Sequence, residues 1–192
     1  MGKILIFMFE GMADYEVTFI SHLLHADAGK EIMTIAYTDD AVEGQSGLHY
    51  QPQYTIKEVL KEDVEGLILC GGWNNDIRLE LVELIQRIHK ERKLLAGICS
   101  AGTVMLAKAG VLDYMTYTTP ISKWSAEEAL FYNMDDPFPR ENYVSKRLVR
   151  DRHVITAQGI AFVDFALEIC AWFKLFQSQQ EKHEFSKLVK GH

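Results

Sequence analysis

Four strand-length runs of this chain are apolar at nearly every consecutive position: residues 3–9, 31–37, 66–70 and 94–98. A strand with one wet face alternates apolar and polar residues. A run apolar at both parities is expected to be buried on both faces, as in a parallel sheet covered by helices on each side. The segments between the runs supply such covers. Residues 14–28 carry Val17, Phe19, Ile20, Leu23 and Leu24 near the helical period, with Gly29 as a stop. Residues 76–90 place Ile77, Leu81, Leu84, Ile85 and Ile88 on one face, and residues 101–109 read as the next helix. Residues 161–176 predict a strongly apolar helix with Asp164 and Glu168 along one polar edge. Strands alternating with helices predict an α/β fold: a Rossmann/flavodoxin-like three-layer sandwich with a mostly parallel sheet, in one domain over 1–192.

Three stretches fit this pattern less tightly. Residues 44–55 hold Gly44, Gly47 and Pro52 among short β-like pieces, which predicts a small hairpin or an edge excursion. Residues 111–150 show weak periodicity, followed by a short strand within 149–156. The polar residues 178–192 read as a surface helix or a frayed tail.

Charge and cysteine usage narrow the function classes. The formal net charge is −7, and the nearest basic group, Lys146 and Arg147 with Arg150 and Arg152, is interrupted. Nucleic acid is therefore not an expected partner. No apolar run reaches membrane-span length, and the one at the start is too short for a signal-peptide core. A cytoplasmic protein with no membrane partner is expected. Cys70, Cys99 and Cys170 are widely spaced, with no Cys-x-x-Cys pair and no disulfide framework. No cluster has metal-ligand spacing, and no glycine-rich phosphate loop follows a strand, so neither metal nor cofactor is expected.

In open parallel sheets, ligands sit beyond the C-terminal strand ends. That rule gathers residues 10–16, Gly71-Gly72 and Cys99 on one rim. The run Gly97-Ile98-Cys99-Ser100-Ala101-Gly102 places a thiol where a strand turns sharply into a helix. Small neighbours are needed there because the backbone folds back on itself, as in the Gly-x-Ser-x-Gly elbow. A helix N-terminus also favours the thiolate. Read alone, Cys99 is either this nucleophile or a small buried hydrophobe; Cys70 and Cys170 read as core. A thiolate attacking a carbonyl needs donors for the oxyanion, and the backbone N–H groups of Gly72 and Ser100 are the candidates. The competing reading of the glycines is a simple chain turn.

The chain resembles the ThiJ/PfpI superfamily, whose fold is shared with class I glutamine amidotransferases. The resemblance rests on "GMADYEVT", "GLILCGG", "LLAGICSAGT" leading into "LAKAGVLD", and "HVITAQGIAFVDFALEI", in that order along nearly the whole chain. It implies that Glu16 faces Cys99 and hydrogen-bonds its sulfur. The residues alone would make Glu16 a solvated first-turn carboxylate. Burial beside a thiol would raise its pKa and make it a proton donor to sulfur. The sequence also departs from related proteins. Ser100 stands where peptidase-like members carry histidine, and Thr119 stands where other members carry one. His89 with Glu91 forms the one His-x-Glu pair and lies upstream on a surface helix. His22, His25, His49, His183 and His192 have no placement that suggests a site; His153, opening the late strand, is the nearest candidate.

Three functions remain open at this level. The first is a cysteine-dependent hydrolase or amidotransferase-like enzyme acting on a small carbonyl or amide compound. The second is a redox-responsive protein signalling through oxidation of Cys99. The third is a catalytically silent member. The resemblance further implies a homodimer. The aromatics of residues 124–140 (Trp124, Phe131, Tyr132, Phe138) could line the pocket, form an interface or pack in the core.

Overall fold

The computed structural model describes residues 2–191; His192 lies outside them. The apolar runs form the centre of a seven-stranded sheet. Its strands are β1 (Lys3–Phe7), β2 (Glu31–Ala36), β5 (Tyr54–Thr55), β6 (Gly66–Leu69), β7 (Leu94–Ile98), β8 (Leu148–Asp151) and β9 (Val154–Ala157). The order across the sheet is β5-β2-β1-β6-β7-β9-β8, parallel except for the final β8–β9 pair. Every residue of β6, β7 and β9 is buried, as consecutive apolar positions require.

Two layers of helix provide that burial. On one face lie α1 (Tyr15–His22), extended by a π-helical turn (Leu23–Asp27), and α6 (Phe162–Trp172). On the other lie α3 (Leu79–Lys90) and α4 (Cys99–Lys108), with the single turn α2 (Ile56–Val59) against α3. The architecture is thus the three-layer α/β sandwich with a mostly parallel sheet.

The weakly patterned stretches resolve by local rules. Residues 42–50 make a two-residue antiparallel ladder, β3 (Val42–Glu43) with β4 (His49–Tyr50), while β5 joins the main sheet beside β2. The expected short strand is two strands, β8 and β9, joined at Arg152-His153, with Arg152 at φ 55°. Weak periodicity hid α5 (Ala126–Tyr132). Its signal was the capping box: Ser125 accepts from the backbone N–H groups of Glu127 and Glu128, while the Glu128 carboxylate accepts from Ser125 N–H. The helix expected over 161–176 stops at Trp172, where Lys174 turns to φ 59° and Phe176 packs on Phe185 of α7 (Gln179–Lys190). None of the described helices is long and apolar enough to cross a membrane.

Candidate active site

The β7–α4 junction sets the site. Ile98 is the last extended residue and Cys99 the first of α4, at φ +60°. An L-residue in the left-handed region costs roughly 1–2 kcal/mol. The strain turns the thiol out of the junction, and close packing holds it. A Cβ on Gly97 would meet Leu106 Cδ1 at 2.6 Å and the Gly102 carbonyl oxygen at 2.7 Å; one on Gly102 would meet the Leu69 carbonyl oxygen at 2.3 Å. The small residues are therefore a steric requirement of the elbow. Beneath it, Thr103 Oγ1 donates to the Cys99 carbonyl at 2.6 Å and lies 2.8 Å from Thr119 Oγ1. Thr119 is fully buried in this hydroxyl pair.

Glu16 arrives from the first turn of α1 and is 1% exposed, so the solvated reading does not hold. Its Oε2 accepts the Gly71 backbone N–H at 2.6 Å. Two glycines locate the carboxylate against the thiol. A Cβ on Gly71 would meet Cys99 Sγ and Glu16 Oε2 both at 2.9 Å, and one on Gly159 would meet Sγ and Oε1 both at 3.0 Å. Only hydrogen fits between these backbones and the Cys–Glu pair. Gly159 lies within a motif visible in the sequence, but its role there, like that of Gly71, shows only once the two chain segments are brought together.

Burial is the main cause that raises the Glu16 carboxyl, to about 7, against the hydrogen bonds from Gly71, Tyr15 and the thiol. Burial, followed by the Glu16 charge, also pushes the Cys99 thiol up, against a hydrogen bond from the Ser100 N–H. The helix N-terminus favours the thiolate, as expected, but desolvation and the adjacent carboxylate outweigh it. Protonating Glu16 removes that repulsion and supplies an O–H donor. The two groups therefore titrate as a pair.

Gly72 and Ser100 both line a cavity of about 270 Å³ at this rim. Gly72, at φ +131°, is pressed onto the 11–13 loop, where a Cβ would meet the Gly11 carbonyl oxygen at 2.4 Å. Bonds from Ala13 N to Gly71 O and from Trp73 N to Gly11 O flank the Met12–Gly72 bridge. In that ladder the Gly72 N–H points away from Met12, and it has no partner among the described residues.

Other sequence candidates lie elsewhere. His153 opens β9 at the opposite rim, where its carbonyl accepts from Leu95 N–H. The length of β7, roughly 15 Å at the rise of a strand, separates it from Cys99. It pairs with His89 instead, with ring nitrogens 3.1 Å apart, so His89 is not the solvated residue its surface helix suggested. No histidine lines the cavity or bonds to Cys99 or Glu16 among the described residues. Cys70 and Cys170 are fully buried, and Cys99 is partly exposed. Of the aromatics, Tyr132 and Phe138 are buried and pack on Trp124, while Phe131 is partly open. Phe131 and Tyr132 line the cavity.

A strand–elbow–helix unit in a parallel three-layer sandwich, with a buried carboxylate against the elbow thiol, defines a class of cysteine-centred α/β proteins. Within it, the profile of the DJ-1/PfpI family matches residues 2–171, and the chain belongs to that family. Its relatives include the uncharacterized protease YoaZ of Bacillus subtilis, 24% identical over 95% of this chain and 94% of that one. The deglycase PfpI of Pyrococcus furiosus is 29% identical over 57% of this chain and 67% of its own length. Among solved structures, the DJ-1 superfamily protein Atu0886 of Agrobacterium tumefaciens superposes with a TM-score of 0.81 at 25% identity, covering all of both chains.

Proposed function

We propose that the chain is a cysteine-dependent enzyme of the hydrolase or amidotransferase type, acting on a small carbonyl or amide compound. The observation that carries this reading is the strained Cys99 thiol packed against a buried carboxyl whose pKa, about 7, suits proton transfer near neutrality. In the proposed reaction Cys99 Sγ attacks the carbonyl carbon and its proton passes to Glu16. The N–H groups of Gly72 and Ser100 hold the oxygen that becomes anionic. Glu16 returns the proton to the departing amine or alkoxide, and water then hydrolyses the thioester. Related proteins named protease and deglycase support chemistry at a carbonyl centre. The lack of a neighbouring histidine among the described residues points to activated substrates, since histidine base catalysis often contributes ~10²–10⁴-fold. A homodimer is part of the proposal; exposed Tyr15 and Ile160, on segments beside the elbow, are candidates for its contact. Turnover that is lost in Cys99→Ser supports the enzyme, and unchanged turnover of every substrate found for the wild type overturns it.

A second reading rests on the accessibility of the thiols. Cys99 is half-buried, while Cys70 and Cys170 are closed to solvent. A redox-responsive protein would use that difference, with peroxide taking Cys99 to the sulfenic acid and onward. Mass spectrometry after mild peroxide should find the added oxygen on Cys99, and oxidation of Cys70 or Cys170 in its place would end this reading.

A further inference from the structure

The cavity beside the elbow has a composition that the proposed chemistry does not require. Trp73, Phe131 and Tyr132 form its apolar walls, and Glu127 and Glu128 supply its charge; among the described residues no lysine or arginine lines it. The walls are tied together, since Asn75 Nδ2 donates to the Phe131 carbonyl at 3.0 Å, joining the loop after Gly72 to α5. Trp73 is 74% exposed, so it contributes little to the core. The two glutamates differ. The Glu128 carboxylate is engaged by Ser125 in the cap of α5. The Glu127 carboxylate forms no hydrogen bond or ion pair among the described residues, although its backbone N–H is held by Ser125 Oγ. An open aromatic surface beside an uncommitted carboxylate attracts a cation twice, through the ring faces and through charge. The net charge of −7 adds a long-range attraction of the same sign.

We infer that the cavity selects substrates carrying a cationic group (a protonated amine, guanidinium or quaternary ammonium), which Trp73, Phe131 and Glu127 hold while the reactive carbonyl reaches Cys99. The inference rests on the reading of Cys99 as the nucleophile and names the substrate class for it. Trp73 and Glu127 are binding residues in this account; neither takes part in bond making.

Three methanethiosulfonates of different charge test it on the full chain: the trimethylammonioethyl, sulfonatoethyl and methyl reagents. In each case the Cys99 thiolate attacks the sulfenyl sulfur, a disulfide forms and methanesulfinate leaves, so only the transferred group differs. Rates on Cys99 are read by intact mass and divided by rates on 2-mercaptoethanol. The cation-to-anion ratio should exceed that of mercaptoethanol by about tenfold, within the range of aromatic and carboxylate attraction to a cation. Glu127→Gln and Trp73→Ala should each lower the ratio severalfold. A ratio equal to that of mercaptoethanol, or one unmoved by Glu127→Gln, overturns the inference. Binding of phenyltrimethylammonium to Cys99→Ser, followed by tryptophan fluorescence, separates the two levels. Saturable quenching that disappears in Trp73→Ala, with none from benzenesulfonate, supports the cation site. If that quenching occurs while no reagent labels wild-type Cys99, the nucleophile reading fails and the cation site stands. If all three reagents label at mercaptoethanol ratios and no quenching occurs, the cation site fails and the nucleophile reading stands.

Discussion

At the C-terminal rim of the sheet Glu16 stands beside Cys99; at the N-terminal rim His153 stands beside His89. Both are pairs of titratable groups with one member buried and one partly buried, and burial is the leading cause of the shift in all four: upward for the acids and downward for the imidazoles. Both rims also contain L-residues in the left-handed region. At the histidine rim these are Arg92 and Arg152, at φ 55° each, one just past α3 and the other between β8 and β9. They reverse the chain on exposed turns, where the Arg152 guanidinium donates to Asp151 and to the Tyr114 carbonyl. Cys99 is strained where the chain passes directly from strand to helix, among glycines that leave room only for its sulfur and a carboxylate. Strain or a shifted pKa alone therefore does not mark a site. At Cys99 the two coincide, and its neighbour Ser100 lines a cavity together with Gly72.

The largest expected effect on that contrast comes from Glu16. Its folded pKa lies above the unfolded value, so the folded state holds the extra proton between about pH 4.5 and 7, and stability falls as pH rises through that window. Glu16→Gln should remove this slope, gaining up to about 3 kcal/mol relative to wild type at pH 8 compared with pH 4, as read from urea midpoints. The histidine pair has the opposite sign. Its depressed pKa values make stability fall as pH drops below the ordinary imidazole range.

Next is Gly71→Ala, whose methyl would lie 2.3 Å from Cys99 Cβ. Overpacking of this kind costs about 1–3 kcal/mol, and the displaced thiol should label more slowly. Smaller again is the comparison of Cys99→Gly with Cys99→Ala. Alanine is normally better in a helix, yet at φ +60° glycine should be the more stable by roughly 1 kcal/mol in thermal unfolding. The smallest effect tests independence of the rims: His153→Asn should leave the rate of Cys99 alkylation within about twofold, as expected for sites well separated in the fold.

The sheet was legible because burial on both faces leaves a pattern that needs no partner to be seen: residues 66–70 and 94–98 read as central strands from their own composition. The elbow was legible for a similar reason, since Gly97, Ala101 and Gly102 record its steric demand locally. Glu16 was legible only through the family resemblance: its own spacing suits an exposed first turn of α1, and the Gly71 N–H that its carboxylate accepts lies 55 positions away in sequence. Long-range contacts of this kind leave no local periodicity. The cavity was hidden likewise, because it forms only where the Trp73 loop meets α5, a helix announced by its cap and not by an apolar face. The direction of the Cys99 shift was missed because a helix N-terminus can be read from sequence and desolvation cannot.

The central claim is that Cys99 and Glu16 act as one titrating unit, and the pH profile of Cys99 alkylation by iodoacetamide tests it most directly. Wild type should show an inflection near pH 7 in addition to the thiol's own ionisation, and Glu16→Gln should show the thiol step alone. Superimposable profiles, with one inflection in both proteins, would contradict the account.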